Sequence, residues 1–277
     1  MRHETAERLG RDRRRLFSQC WLPEGEPVAV AVLVHGLAEH SGRYPELVAR
    51  LTANGYAVHA LDHRGHGQSG GARCYVESFG WVVDDLVEFA HAARLRHAAR
   101  GVTLIGHSFG GAIALTVALD RPDLVTRLVL SAPAIAADPK LPRARLVLGR
   151  LLSAVAPRTA ILKLPAAAIS RDAAVVAAYE SDPLVHRGGI PARTLVELLG
   201  AMRRIESRAA MLRPPTLVMH GTADRLVPLE FTRPVYARLG AADLRVELYE
   251  DYYHEIFNEP GRARVFADLE GWLAARA

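Results

Sequence analysis

Lysine is almost missing from this chain of 277 residues. Lys140 and Lys163 stand alone, and arginine supplies the remainder of 35 basic residues. The formal net charge of +5 permits attraction to anionic surfaces. Aromatics make up only 6% of the chain and interleave with no basic run, so nucleic acid is not expected as a partner. Cysteine is equally scarce. Cys20 and Cys74 cannot build a disulfide framework and read as reduced thiols of a cytoplasmic protein. Long apolar runs are lacking too: Val28 to Val34 falls far short of a membrane span. Met1 to Arg15 is densely charged with no apolar stretch behind it, so a standard secretory signal is not expected. Half of the residues are nevertheless apolar, enough to bury the core of one large α/β domain carrying an insertion.

What is present alternates. Continuous apolar runs at Val28 to Val34, Tyr56 to Leu61, Gly101 to Ile105 and Leu124 to Leu130 read as strands covered on both faces. Between them, Arg43 to Asn54 reads as a helix. A second, longer helix follows Ser78, which is placed to cap it, with Val82, Leu86, Phe89 and Ala93 on one face. This rhythm predicts an α/β fold with a doubly wound, mostly parallel sheet. It breaks after Ser131-Ala132-Pro133. From 134 to 210 there are six prolines and short helical patterns, with no convincing strand. Strands then resume at Thr216 to Met219 and Leu244 to Tyr249, with helices at Leu229 to Leu239 and Gly261 to Ala275. The expected organisation is a core of residues 1–133 and 211–277, with 134–210 inserted as a helical cap over the strand ends, where open α/β sheets bind ligands.

Chemistry concentrates at Gly106-His107-Ser108-Phe109-Gly110. A serine between a strand and an apolar helix, with glycine two positions to either side, is the nucleophile elbow of an α/β-hydrolase. The serine backbone must enter a strained turn, and a Cβ at either glycine is expected to collide with it. A serine hydroxyl needs a base, and the base needs an orienting carboxylate, in the chain order Ser, Asp or Glu, His. Asp224, after the strand ending near Met219, and His254, after the last strand, fill those places. Asp251, Asp243 and Glu230 are weaker candidates for the acid. The backbone N–H groups of Phe109 and of Leu37, which follows Val28 to Val34 through His35-Gly36, are the expected oxyanion donors. Gly65-x-Gly67-x-x-Gly70 imitates a dinucleotide fingerprint, but no helix opens behind it, so it reads as a glycine-rich turn tied down by Asp62. The histidines His35, His40, His63, His66 and His107 match no metal spacing and read as loop hydrogen-bonders.

These blocks resemble the monoglyceride lipases over most of the chain. The resemblance rests on His35-Gly-Leu-Ala-Glu-His-Ser-Gly-Arg-Tyr44, Asp62-His-Arg-Gly-His-Gly-Gln-Ser69, the elbow, Ser181-Asp-Pro-Leu184, His220-Gly-Thr-Ala-Asp224 and His254-Glu-Ile-Phe-Asn-Glu259. It implies cleavage of monoacylglycerols to fatty acid and glycerol without metal or organic cofactor. Ser108 is then the nucleophile, Asp224 the acid and His254 the base, with Leu37 and Phe109 as oxyanion donors. It also implies a pocket for the glycerol head at Glu39, Arg43, His107 and Tyr179; for Glu39 and Arg43 an internal ion pair is the competing reading. Phe109 replaces the family's usual methionine, and since its backbone carries the role, catalysis is expected to survive. A lysophospholipase or general carboxylesterase using the same residues is the close alternative, and a non-catalytic ligand receptor on the same fold the distant one. In the cap, Leu148, Leu151, Leu152 and Val155 recur at helical spacing beside Arg143, Arg145 and Arg150. That stripe either lies on an anionic bilayer or packs on the core.

Overall fold

The computed structural model describes residues 1–276. The chain opens with two strands, β1 (Arg2–Leu9) and β2 (Arg15–Leu22), followed by β3 (Ala29–Val34), α1 (Pro45–Ala53) and β4 (Tyr56–Leu61). Next come α2 (Phe79–Arg96), β5 (Val102–His107), α3 (Phe109–Asp120) and β6 (Val125–Ser131). The segment that follows holds α4 (Arg143–Val155), β7 (Ala160–Leu162), α5 (Ala173–Ser181), β8 (Ile190–Pro191) and α6 (Ala192–Arg208). The chain closes with β9 (Thr216–Gly221), α7 (Leu229–Tyr236), β10 (Leu244–Tyr249) and α8 (Arg262–Ala274). The main sheet runs β1-β2-β4-β3-β5-β6-β9-β10. From β4 to β10 every pairing is parallel, while β1 and β2 join antiparallel at one edge. This is the α/β-hydrolase arrangement.

The apolar runs are continuous because both faces are covered. In β3, Val30, Val32 and Val34 pack into a core shared with α2, α3, α6 and α7. The alternate residues Ala31 and Leu33 face a second core, built with Leu47 and Leu51 of α1 and Phe266 and Trp272 of α8. α3 is buried on all sides, consistent with its lack of a polar face.

Four expectations change. The charged start contains β1, an almost wholly exposed edge strand whose polar residues carry no burial signal. The first helix begins at Pro45 rather than Arg43, because a short 3₁₀ turn occupies Ser41–Arg43 and proline sets the first α-helical position. Ser78 sits at the N-cap of α2 with extended backbone, yet its side chain caps nothing; the Phe79 N–H donates instead to Glu197 of α6 at 3.0 Å. Finally, β7 and β8 form a small antiparallel pair inside the segment read as strandless. Elements of two or three residues are too short to write a period into sequence.

Candidate active site

At the end of β5 the chain turns through Ser108 with φ +53° and ψ −117°, a conformation that costs a non-glycine residue strain. The turn is pinned on both sides: the Ser108 N–H donates to Ser131 O (2.9 Å), and Ala134 N–H donates to Ser108 O (2.9 Å). The two glycines serve different contacts. A Cβ at Gly106 would lie 2.6 Å from Gly110 O and 2.8 Å from Gly111 Cα, inside the turn itself. At Gly110 it would lie 2.1 Å from Val34 O, so that glycine admits the neighbouring β3 rather than the turn.

Asp224 and His254, the expected acid and base, arrive from neighbouring parallel strands. Asp224 follows β9, and its Oδ1 accepts the N–H groups of Leu226 (2.8 Å) and Val227 (2.9 Å), which fixes the carboxylate. Its Oδ2 meets His254 Nδ1 at 2.7 Å, leaving Nε2 as the imidazole's free nitrogen. Gly221 lets the two loops meet, since a Cβ there would lie 2.2 Å from Tyr252 O. The other acid candidates are elsewhere: Asp243 pairs with Arg276, while Asp251 and Glu230 are exposed. Burial opposes ionisation of Asp224, but the His254 and His220 imidazoles outweigh it and hold the carboxyl well below the ordinary range. For His254 burial likewise disfavours charge, yet Asp224, then Glu255 and Glu39, raise its pKa above the usual imidazole value. Ser108 and His254 line the same cavity, although Ser108 Oγ makes no hydrogen bond among the described residues. Such bonds commonly tighten only when substrate is bound.

Leu37 and Phe109 both line the cavity, as does Ser108. Neither N–H donates a hydrogen bond among the described residues, so both are available to a ligand oxygen. Glu39 shapes this loop: its Oε1 accepts the Gly36 N–H (2.6 Å) and the Tyr44 hydroxyl (2.5 Å), and its Oε2 accepts from Arg43 (2.8 Å). Arg43 forms the i,i+4 ion pair and also a bidentate pair with Glu255 (2.6 and 2.9 Å). It stacks over the Tyr179 ring, 4.7 Å from its centroid, and is not part of the cavity wall. Glu39, His107 and Tyr179 do line that wall. Burial and the nearby His254 push His107 down to about 4, so it is a neutral imidazole at pH 7. The Phe109 ring points into the core, edge-on to Phe79 and His63.

The cavity measures about 480 Å³ and is mostly apolar, lined by Leu146, Leu162, Leu195 and Leu199 from the 134–210 segment above the serine. That segment is tied to the site at three points. His186 N–H donates to Ala38 O (2.8 Å), Glu255 N–H to Ile169 O (2.7 Å), and His40 Nε2 meets Asp182 at 2.8 Å.

The sequence profile of the family described as Serine aminopeptidase, S33 matches residues 25–261. The monoacylglycerol lipase of Mycolicibacterium smegmatis is 38% identical over 94% of this chain and 93% of its own length. The human monoglyceride lipase is 34% identical over 96% of this chain and 88% of its own. The chain belongs to the monoglyceride lipase family. Its fold superposes on the crystal structure of the Paleococcus ferrophilus monoacylglycerol lipase with a TM-score of 0.83, at 30% identity, with both chains fully covered. As a member of this family the protein is a carboxylic ester hydrolase.

Two residues at the site escaped the sequence reading. Glu255 lines the cavity and shares Arg43 with Glu39; its place in the His254-Glu-Ile-Phe-Asn-Glu259 block was the available signal. His220 lies 3.2 Å from Asp224 Oδ2 and meets the Tyr236 hydroxyl at 2.6 Å. It stood in the same five-residue block as the acid. The decoy turn behaves as read: Asp62 accepts from Gln68 N–H and from Ser41 N–H and Oγ–H.

Proposed function

We propose that this protein hydrolyses monoacylglycerols to fatty acid and glycerol through an acyl-enzyme on Ser108. The observation that carries the reading is one cavity with a long apolar wall, which suits an acyl chain, and a short polar end beside the serine. His254 Nε2 takes the Ser108 proton as Oγ attacks the ester carbonyl. The Leu37 and Phe109 N–H groups hold the oxyanion that develops. His254 returns its proton to the departing glycerol oxygen, then activates water to release the acid, while Asp224 fixes the imidazole tautomer and stabilises its charged form. Every proton in this cycle passes through His254, and ester and water are the only reactants.

At the polar end, Glu39 and Arg43 occupy one another and brace the oxyanion loop. His107 and Tyr179 are then the groups that meet glycerol hydroxyls; the Tyr179 hydroxyl makes no hydrogen bond among the described residues. Two free hydroxyls satisfy such groups, whereas a second acyl chain would leave them unpaired. Residues 134–210 act as a cap over a core of 1–133 and 211–277. Among the described residues no helix is long and apolar enough to cross a membrane. On α4, however, Leu148, Leu151 and Val155 are 56%, 58% and 80% exposed, which favours contact with an anionic bilayer over packing on the core.

Replacing Ser108 by alanine tests the reading directly. The variant should fold and lose essentially all turnover of monoacylglycerol, together with labelling by a fluorophosphonate probe. Retained turnover in purified protein would mean another nucleophile. Comparing kcat/KM on monoacylglycerol, diacylglycerol and lysophospholipid separates the proposed substrate from the close alternative, since only the first rewards a glycerol-sized polar end.

A further inference from the structure

Away from the cavity, three antiparallel strands carry a row of metal-binding side chains. Glu4 of β1 pairs in register with Cys20 of β2, and Cys20 pairs with His59 of β4, so all three project from the same face of the sheet. His97, immediately after α2, reaches down onto this row. His59 Nε2 lies 3.6 Å from Cys20 Sγ and 2.9 Å from His97 Nε2, and the three donor atoms all fall within 4.8 Å of one another. We propose that Cys20, His59 and His97 bind a zinc-class divalent cation.

Two of the three donor separations lie near those of a tetrahedral centre, and the third is below 4.8 Å. With bonds of about 2.3 Å to sulfur and 2.0–2.1 Å to nitrogen, a tetrahedral centre requires sulfur and nitrogen roughly 3.6 Å apart. That is the Cys20–His59 separation found here. The same centre requires its two nitrogens about 3.4 Å apart. The imidazoles therefore separate by roughly half an ångström on binding, a shift open to His97 because it sits half-buried at a helix end. One thiolate with two imidazoles is a donor set that selects zinc-class ions over magnesium or calcium. The fourth position faces a separate cavity of about 180 Å³ that Glu4 also lines. Glu4 is held there by Arg96 at 2.8 Å, so water completes the centre. Binding exchanges the Cys20 thiol proton for the cation, with one proton released per ion. None of these residues lines the catalytic cavity. The centre would clamp the end of α2 to the exposed β1–β2 edge, acting on stability rather than on ester chemistry.

Cobalt(II) titration of chelator-stripped, reduced protein tests this. Expected are uptake of one cobalt per chain with a near-ultraviolet thiolate charge-transfer band, displacement by zinc, and a higher melting temperature with zinc present. Cys20→Ser should abolish the band, and His97→Gln should weaken binding at least about 10-fold. Both variants should keep wild-type ester hydrolysis. Absence of the band in the wild type, its persistence in Cys20→Ser, or unchanged affinity in His97→Gln overturns the proposal; the His59–His97 contact is then a plain hydrogen bond between neutral rings.

Discussion

Glu39→Gln separates two roles that one side chain can play beside Ser108. The carboxylate accepts from Gly36 N–H, the Tyr44 hydroxyl and Arg43. An amide of the same shape keeps the first two through its oxygen and turns its NH₂ toward the guanidinium, so the bond to Arg43 is lost. A hydrogen bond to a charged group contributes about 1.5–3 kcal/mol. Arg43 remains paired with Glu255 through two bonds, so the fold should survive. If that energy holds the Gly36–Leu37 loop in position to receive an oxyanion, its loss raises the barrier for any ester. At 1.36 kcal/mol per decade the expected cost in kcat/KM is roughly 10- to 150-fold. The assay measures kcat and KM on a monoacylglycerol and on a p-nitrophenyl ester of the same acyl chain, with circular dichroism confirming the fold. Comparable losses on both substrates are expected. A wild-type rate on the p-nitrophenyl ester, with a raised KM on the glycerol ester alone, would refute the bracing argument and make Glu39 a headgroup ligand.

Asp224→Asn should lower kcat by orders of magnitude, about 10⁴-fold in the protease example of the same triad, with the fold intact. A fully active variant would show that the acid is misassigned. Because Asp224 raises the His254 pKa and the neutral imidazole is the proposed base, kcat/KM should rise with pH through a midpoint above the ordinary histidine value. In Asp224→Asn the residual activity should rise at lower pH, and an unmoved midpoint would contradict the coupling. Gly110→Ala places a methyl 2.1 Å from Val34 O and should sharply lower the melting temperature or yield insoluble protein; a native-like melt would show that β3 can yield. Finally, Leu148→Ser/Leu151→Ser should reduce salt-sensitive sedimentation with anionic vesicles, and equal binding by both proteins would end the membrane reading of α4.

Much of this molecule is legible in local pattern. The strand-turn-helix at Ser108, the order Ser108, Asp224, His254, and the parallel strands follow from residues close in the chain, where sterics and burial act over a few positions. The glycines at 106 and 110 were readable as steric necessities, although the partner that Gly110 admits, Val34 at the end of β3, lies 76 residues away from it in sequence and shows only in space. The strand β1 stayed hidden because an exposed edge selects no apolar period. The outward aim of the α4 stripe was undecidable from spacing, since amphipathic helices that pack on a core and those that face a bilayer share one periodicity.

Local sequence, then, determined the chemistry on offer: a strained serine, a base and an acid in workable order, and an apolar sheet to hold them. Tertiary structure alone decided the partnerships. It placed Arg43 between Glu39 and Glu255, which are separated by more than 200 residues. It also aligned Cys20, His59 and His97 from three separate elements. The physical reason is the same in both cases: a charge or a ligand set is stabilised by whatever lies within a few ångströms, and in a doubly wound sheet those neighbours are set by strand order rather than by chain order.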